Sequence, residues 1–238
     1  MTTGQVKQHE RVLQMMRVVF GEYLRVVYES KEKMFQDHKR SWLGVEQKFS
    51  AMQYDIPVFG KWDGVFQEDR HICLLETKNL SRIDEEMVED TLTVNFQVML
   101  YLWALSQRHP DSKLKVLYSV IRVPQLRQGK DETDSMFRLR VGKDIRERPD
   151  WYFMRFENKV LPLELKKWET TVLDPIIRDI QQWWDGFDAR SLQENPYHYP
   201  NYENLQTKYG RCAMYDMIVH GTTTGYVRRK LVHPELEF

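Results

Sequence analysis

Gly60-Lys61-Trp62-Asp63-Gly64-Val65-Phe66 and Ile72-Cys73-Leu74-Leu75-Glu76-Thr77-Lys78 are the stretches whose reading decides the fold. Both are strand-like runs, and Gln67-Glu68-Asp69-Arg70 between them has the polar composition of a hairpin turn. With Glu68 and Asp69 as a two-residue turn, Asp63 lies opposite Leu74 and Lys61 opposite Glu76. Alternation along the strands then sets Asp63, Leu74, Glu76 and Lys78 on one face, with Asp63 and Glu76 diagonal neighbours roughly 7 Å apart or less at Cβ. An odd-length loop would break this parity. Two carboxylates at that separation repel unless positive charge sits between them, and a divalent cation with oxygen ligands answers that need. Lys78, two residues beyond Glu76 on the same face, places an ammonium where it can hold a water or a phosphate oxygen. Such a set suits hydrolysis of a phosphodiester, in which a metal activates water and neutralises developing charge.

The rest of the chain builds outward from this hairpin. Val12, Met15, Met16, Val19, Phe20, Leu24, Val27 and Tyr28 recur at three- and four-residue spacing, which predicts a long amphipathic helix over 6–36. A strand is expected over 43–52, before the hairpin strands 56–66 and 71–78. A helix over 84–108 has acids in its first turns and Pro110 beyond its end. The segments 114–123, 136–141 and 151–157 read as further strands, 125–134 as an exposed loop, and 163–187 as a helix with Pro175 at a break or first turn. This order predicts an α/β fold in which a mixed central β-sheet is flanked by helices. A single domain over 1–238 is expected, with 195–238, rich in Tyr, Asn, Pro and Gly, as an irregular tail packed on it.

Composition narrows the classes. The chain has 238 residues, 42% hydrophobic and 13% aromatic, with 35 basic residues against 35 acidic, so material for a core is ample and the compositional case for disorder fails. Its longest apolar run, Val98 to Leu105, is far short of the roughly 20 residues that span a bilayer, and the N-terminus lacks a signal-peptide apolar region. No membrane association is expected, and the location expected is the cytoplasm. Two cysteines, Cys73 and Cys212, make neither a disulfide framework nor an all-cysteine metal site. Zero net charge argues against coating nucleic acid by bulk electrostatics but leaves room for a local basic surface.

At Asp63 and Glu76-Thr77-Lys78 the sequence resembles the PD-(D/E)xK nuclease superfamily, whose core motif is an aspartate before a hairpin and an acid-x-lysine triplet on the next strand. Gln97 and Tyr101 reproduce the Q-x-x-x-Y element of its RecB-type exonuclease branch, sharing one helical face at i and i+4. Glu46 matches an acid found on the preceding strand in that branch. Gly4 and His9 resemble its glycine-to-histidine motif, with a spacing of five instead of four. The resemblance implies a restriction-endonuclease-like core and a DNA exonuclease of phage or bacterial recombination and repair, in a bacterial host cell. Its substrate would be a single strand or a duplex end, and a recombination or replication protein its partner. It further implies Mg²⁺ or Mn²⁺ held by Asp63, Glu76, the Thr77 carbonyl and His9, with Glu46 an outer contact. Lys78 would assist the attacking water, while Gln97 and Tyr101 position substrate. Tyr199-Pro200-Asn201 and the segment 209–216 are similar to the tail of phage and CRISPR-associated members that carry an iron–sulfur cluster. Only Cys212 remains of the cysteines there, so no cluster is expected.

Plainer readings stand beside these. The hairpin could be a surface ribbon with Glu76 and Lys78 salt-bridged, Glu46 a solvated edge charge, and His9 a surface residue. The alternatives in function are an endonuclease on the same core and a non-catalytic nucleic-acid-binding or assembly module. Basic clusters at Arg138, Arg140, Lys143, Arg146 and Arg148, and at Arg228, Arg229 and Lys230, have the charge to follow a DNA backbone, although Asp144 and Glu147 dilute the first. Trp183 and Trp184 offer base-stacking rings or, more simply, packing. Cys73, His71, Cys212 and His220 lack metal-ligand spacing, and Gly221–Gly225 is no phosphate loop.

Overall fold

A computed structural model describes residues 3–189 and, in the tail, 206–207, 210–211, 219–220, 222 and 224–225. The mixed α/β architecture is present: a five-stranded sheet in the order β1-β2-β3-β4-β5, made of β1 (Ser41–Gln53), β2 (Ile56–Glu68), β3 (His71–Leu80), β4 (Lys113–Arg122) and β5 (Phe153–Val160). Strand β2 pairs antiparallel with β3, β3 parallel with β4, and β4 antiparallel with β5. The long first helix, α1 (Thr3–Glu29), ends earlier than its periodicity predicts. The expected helix over 84–108 is two, α2 (Glu85–Thr91) and α3 (Phe96–Arg108). Asp84 and Asn95 cap them by accepting the Met87 and Val98 N–H groups at 3.1 Å each. These two helices form the crossover that lets β3 and β4 run parallel.

The hairpin register corrects the one read from the sequence. Gln67 pairs with Ile72 and Glu68 with His71, so the turn is Asp69-Arg70, not Glu68-Asp69. Two interactions favour this choice. Asp69 adopts a φ of 53°, a left-handed conformation that aspartate tolerates. Glu68, kept in the strand, reaches Arg40 at 3.5 Å and pairs with Lys115, which is 5% exposed and also bonds Glu157 at 2.8 Å. A shift of two positions preserves parity.

The segment 136–141, expected as a strand, lies instead in α4 (Asp134–Glu147). Thr133 caps this helix by accepting the Met136 N–H at 3.2 Å, and Phe137, Val141 and Ile145 repeat at four-residue steps on its inner face. The short helix α5 (Pro149–Tyr152) replaces the start expected for the last strand. Helices α1, α4 and α5 bury Val141, Ile145, Tyr152 and Phe153 with Ile121 on one face of the sheet. Helix α3 packs on β3 and β4, together with α6 (Pro162–Trp168). Trp42, Phe66, Cys73, Leu75 and Leu117 form a further cluster on the sheet. Each such large apolar side chain withdrawn from water contributes roughly 1.5–3 kcal/mol.

Contacts divide the chain into two compact units, Met1–Ala51 with Phe59–Glu169, and Met52–Val58 with Thr170–Phe238. Within the second, the tip of the β1–β2 hairpin meets α7 (Asp174–Ala189): Gln53 and Tyr54 donate to Asp174 at 2.5 and 2.9 Å, and Pro175 sits in the first turn. Most of the tail over 195–238, the stretch 199–201, all of 209–216 but Gly210 and Arg211, and Cys212 and Arg228–Lys230 lie outside the described residues.

Candidate functional site

The regular β2–β3 ladder runs from Glu68↔His71 to Gly64↔Leu75 and stops one residue short of Asp63. There a side chain takes over from the main chain: the Asp63 carboxylate accepts the Thr77 N–H at 2.8 Å. In an extended strand the N–H and C=O of one residue face the same edge, so the Thr77 carbonyl is directed to the Asp63 side as well. Asp63, Glu76 and the Thr77 backbone are thereby brought together.

Glu76 is 1% exposed, which rules out the plain surface ribbon. One carboxylate oxygen accepts from the Lys78 ammonium at 2.6 Å, and the other is buried without a hydrogen-bond partner. Burial pushes the Glu76 carboxyl above its ordinary value; Lys78 opposes this and the Asp63 charge adds to it. For Lys78 burial pulls downward, but Glu76, with Tyr118 and Asp63, outweighs it and raises the ammonium above its ordinary value. Lys78 is therefore a cation here.

The lysine is held from the helix side. Its Nζ donates to the Gln97 Oε1 at 2.7 Å, and the Gln97 Nε2 donates to the Tyr101 hydroxyl at 3.2 Å. The four-residue spacing makes this relay, because both side chains leave α3 on one face. Two of the three ammonium hydrogens are thus used, and the third has no protein acceptor among the described residues. Tyr101 is fixed in turn by the edge of Phe49, with ring centroids 5.5 Å apart, and Phe49 stacks on Trp62 at 4.6 Å. A Cβ at Gly60 would overlap the Phe49 ring, so the glycine before Asp63 makes room for the packing that seats Tyr101.

The remaining expected residues are placed differently. Glu46, within β1, has a φ of 50°, and its exposed carboxylate pairs with Lys61. Among the described residues no three His, Cys, Asp or Glu side chains gather, so Glu46 does not join Asp63 and Glu76. The backbone of His9 belongs to α1, and its side chain lies outside the described residues. Trp183 and Trp184 are on α7, in the second unit, with rings 6.2 Å apart. The Cys73 thiol is pushed up to about 12 by burial, with Lys115 opposing, which makes it an inert core residue.

One residue at the site escaped the sequence reading. Tyr118 on β4 stands beside Glu76 in the parallel ladder, nearly buried. Burial raises its phenol, Lys78 opposes and Glu76 adds to the rise. Its only signal was a polar-tipped ring among Val116, Leu117 and Val120 in a strand expected to be buried.

The pair fits a divalent cation on its own chemistry. Glu76 presents a buried oxygen with no partner, Asp63 adds a second negative charge nearby, and the Thr77 carbonyl is a third hard donor. Such all-oxygen donors suit Mg²⁺ or Mn²⁺. Compared with known proteins, the chain matches no family model, no curated protein and no solved structure.

Proposed function

We propose that this chain is a divalent-metal-dependent DNA nuclease hydrolysing phosphodiester bonds from strand ends. The observation that carries this reading is the unpartnered oxygen of buried Glu76, set beside Asp63 and next to a lysine anchored by Gln97. Asp63, Glu76 and the Thr77 carbonyl would hold Mg²⁺ or Mn²⁺. When bound, the ion supplies Lewis-acid activation of water and neutralises charge on the phosphodiester. Lys78 orients the attacking water or a phosphate oxygen through its remaining N–H. Gln97 fixes the direction of that ammonium, and Tyr101 fixes Gln97.

The test incubates labelled linear and circular DNA with the purified chain and Mg²⁺ or Mn²⁺, with EDTA and Lys78→Ala as controls. Loss of linear but not circular DNA, abolished by EDTA and by Lys78→Ala, is expected. Cleavage of circular DNA would replace the exonuclease reading with an endonuclease. No cleavage with either metal, or a fully active Lys78→Ala, would overturn the catalytic reading.

A further inference from the structure

A groove of about 510 Å³ runs between α1 and α4. Those helices cover the sheet face that carries Ile121 and Phe153, opposite the face that presents Glu76 and Tyr118 by strand alternation. Arg17 and Gly21 line it from α1, one turn apart; Arg138, Gly142 and Arg146 line it from α4 at successive turns. Arg138 and Arg146 are thus about 12 Å apart along the helix axis. It is open beside Gly21, where a Cβ would have nothing within 4 Å.

Charge separates this groove from an ordinary solvated helix face. On the remainder of α4 and at its C-cap each basic group is neutralised: Arg140 by Glu132 at 2.7 Å, Arg148 by Asp144 at 2.7 Å and Lys143 by Glu147 at 3.6 Å. In the groove only Arg146 is paired in this way, with Glu22. Among the described residues, Arg138 bonds only the neutral partners Gln14 and Ser135, and exposed Arg17 has no ion pair. Glu22, the one acid of the lining, is shared between Arg146 and Arg25. Leu139, 70% exposed, also lines the groove. Forked, fully charged donors beside an exposed leucine complement an extended chain of anionic diesters joined by sugars that present C–H faces.

We propose that the α1–α4 groove is a second, non-catalytic binding track for a nucleic-acid backbone, contacted by Arg17 from one wall and by Arg138 and Arg146 from the other. It stands whether or not Asp63 and Glu76 catalyse hydrolysis.

The test is fluorescence anisotropy of a short labelled DNA, duplex and single-stranded, with the full chain in EDTA over a series of salt concentrations. Arg17→Ala with Arg138→Ala is expected to weaken binding about tenfold or more and to lower the slope of log affinity against log salt by about two. Arg17→Ala alone, at an exposed position that folding does not need, should lower the slope by about one. The outward pair Arg140→Ala with Arg148→Ala should leave both measures unchanged. The proposal is overturned if the groove variants bind as wild type does, if the outward pair loses as much, or if poly-glutamate competes as well as DNA. An inactive wild type that still shows the groove effect would sink the nuclease reading and leave this one standing.

Discussion

Lys78 bonds one oxygen of the Glu76 carboxylate at 2.6 Å and leaves the other oxygen of the same buried group without a partner. The pair is thus only half-compensated. A carboxylate withdrawn from water gains from each hydrogen bond to its charged form, and this one has a single such bond next to another negative charge. The arrangement costs stability.

That cost should be visible in the pH dependence of folding. Because the folded state holds the Glu76 proton above its ordinary value near 4.5, stability is full below that value and is lost as pH rises through the raised folded one. Glu76→Gln removes this titration. Urea unfolding of both proteins without metal, from pH 4 to 8, should therefore show the variant gaining on the wild type as pH rises through that window. Added Mg²⁺ or Mn²⁺ should raise the midpoint of the wild type and not of the variant. Parallel pH profiles for the two proteins would sink the assignment.

Removing the lysine separates its role from that of Asp63 and Glu76. Lys78→Ala should lower the hydrolysis rate between about a hundred- and ten-thousand-fold, the range typical of a positioned proton-transfer or orienting group. Gln97→Ala keeps the ammonium and loses only its anchor, so a smaller loss is expected, with metal affinity unchanged. Steady-state rates with linear DNA, and metal titration followed by thermal shift, distinguish the two. Equal losses for both variants would mean that Gln97 touches substrate directly.

Gly60→Ala tests how the site is supported. The added methyl overlaps the Phe49 ring, which stacks on Trp62 and braces Tyr101. Overpacking of this kind typically costs about 1–3 kcal/mol. Thermal denaturation should show the loss, and Phe49→Leu added to Gly60→Ala should recover part of it by making room. If Gly60→Ala is neutral, Phe49 has another rotamer and Tyr101 is not held through it.

Much of this arrangement was legible in the sequence because it rests on local periodicities. Alternation set Glu76 and Lys78 on one face, and the four-residue step set Gln97 beside Tyr101. What was not legible depends on distant partners. The turn moved to Asp69-Arg70 because Glu68 is drawn into ion pairs with Arg40 and with Lys115 on β4. The place of Tyr118 beside Glu76 needed the parallel register of β3 and β4, which no short-range pattern encodes. Residues 136–141 misled because Met136, Phe137, Leu139 and Val141 are as apolar as a strand; the signal overlooked was Thr133-Asp134, a helix start that fixes Phe137, Val141 and Ile145 at four-residue steps.

Arg155 gives the last prediction, far in sequence from its partners. Its side chain is fully shielded from solvent and donates to both oxygens of Asp37 at 2.6 Å, and to the Tyr23 hydroxyl and the Met34 carbonyl. This fastens the connection between α1 and β1 to the sheet. Asp37→Ala would strand a buried guanidinium, and breaking one partner of such a pair costs about 3–5 kcal/mol. Replacing both partners by apolar groups, Asp37→Leu with Arg155→Met, removes the stranded charge and should cost clearly less than Asp37→Ala alone. Chemical denaturation of the three proteins measures the difference. If the double variant is the less stable of the two, the pair contributes more than compensation of its own burial, and the connection depends on its charge.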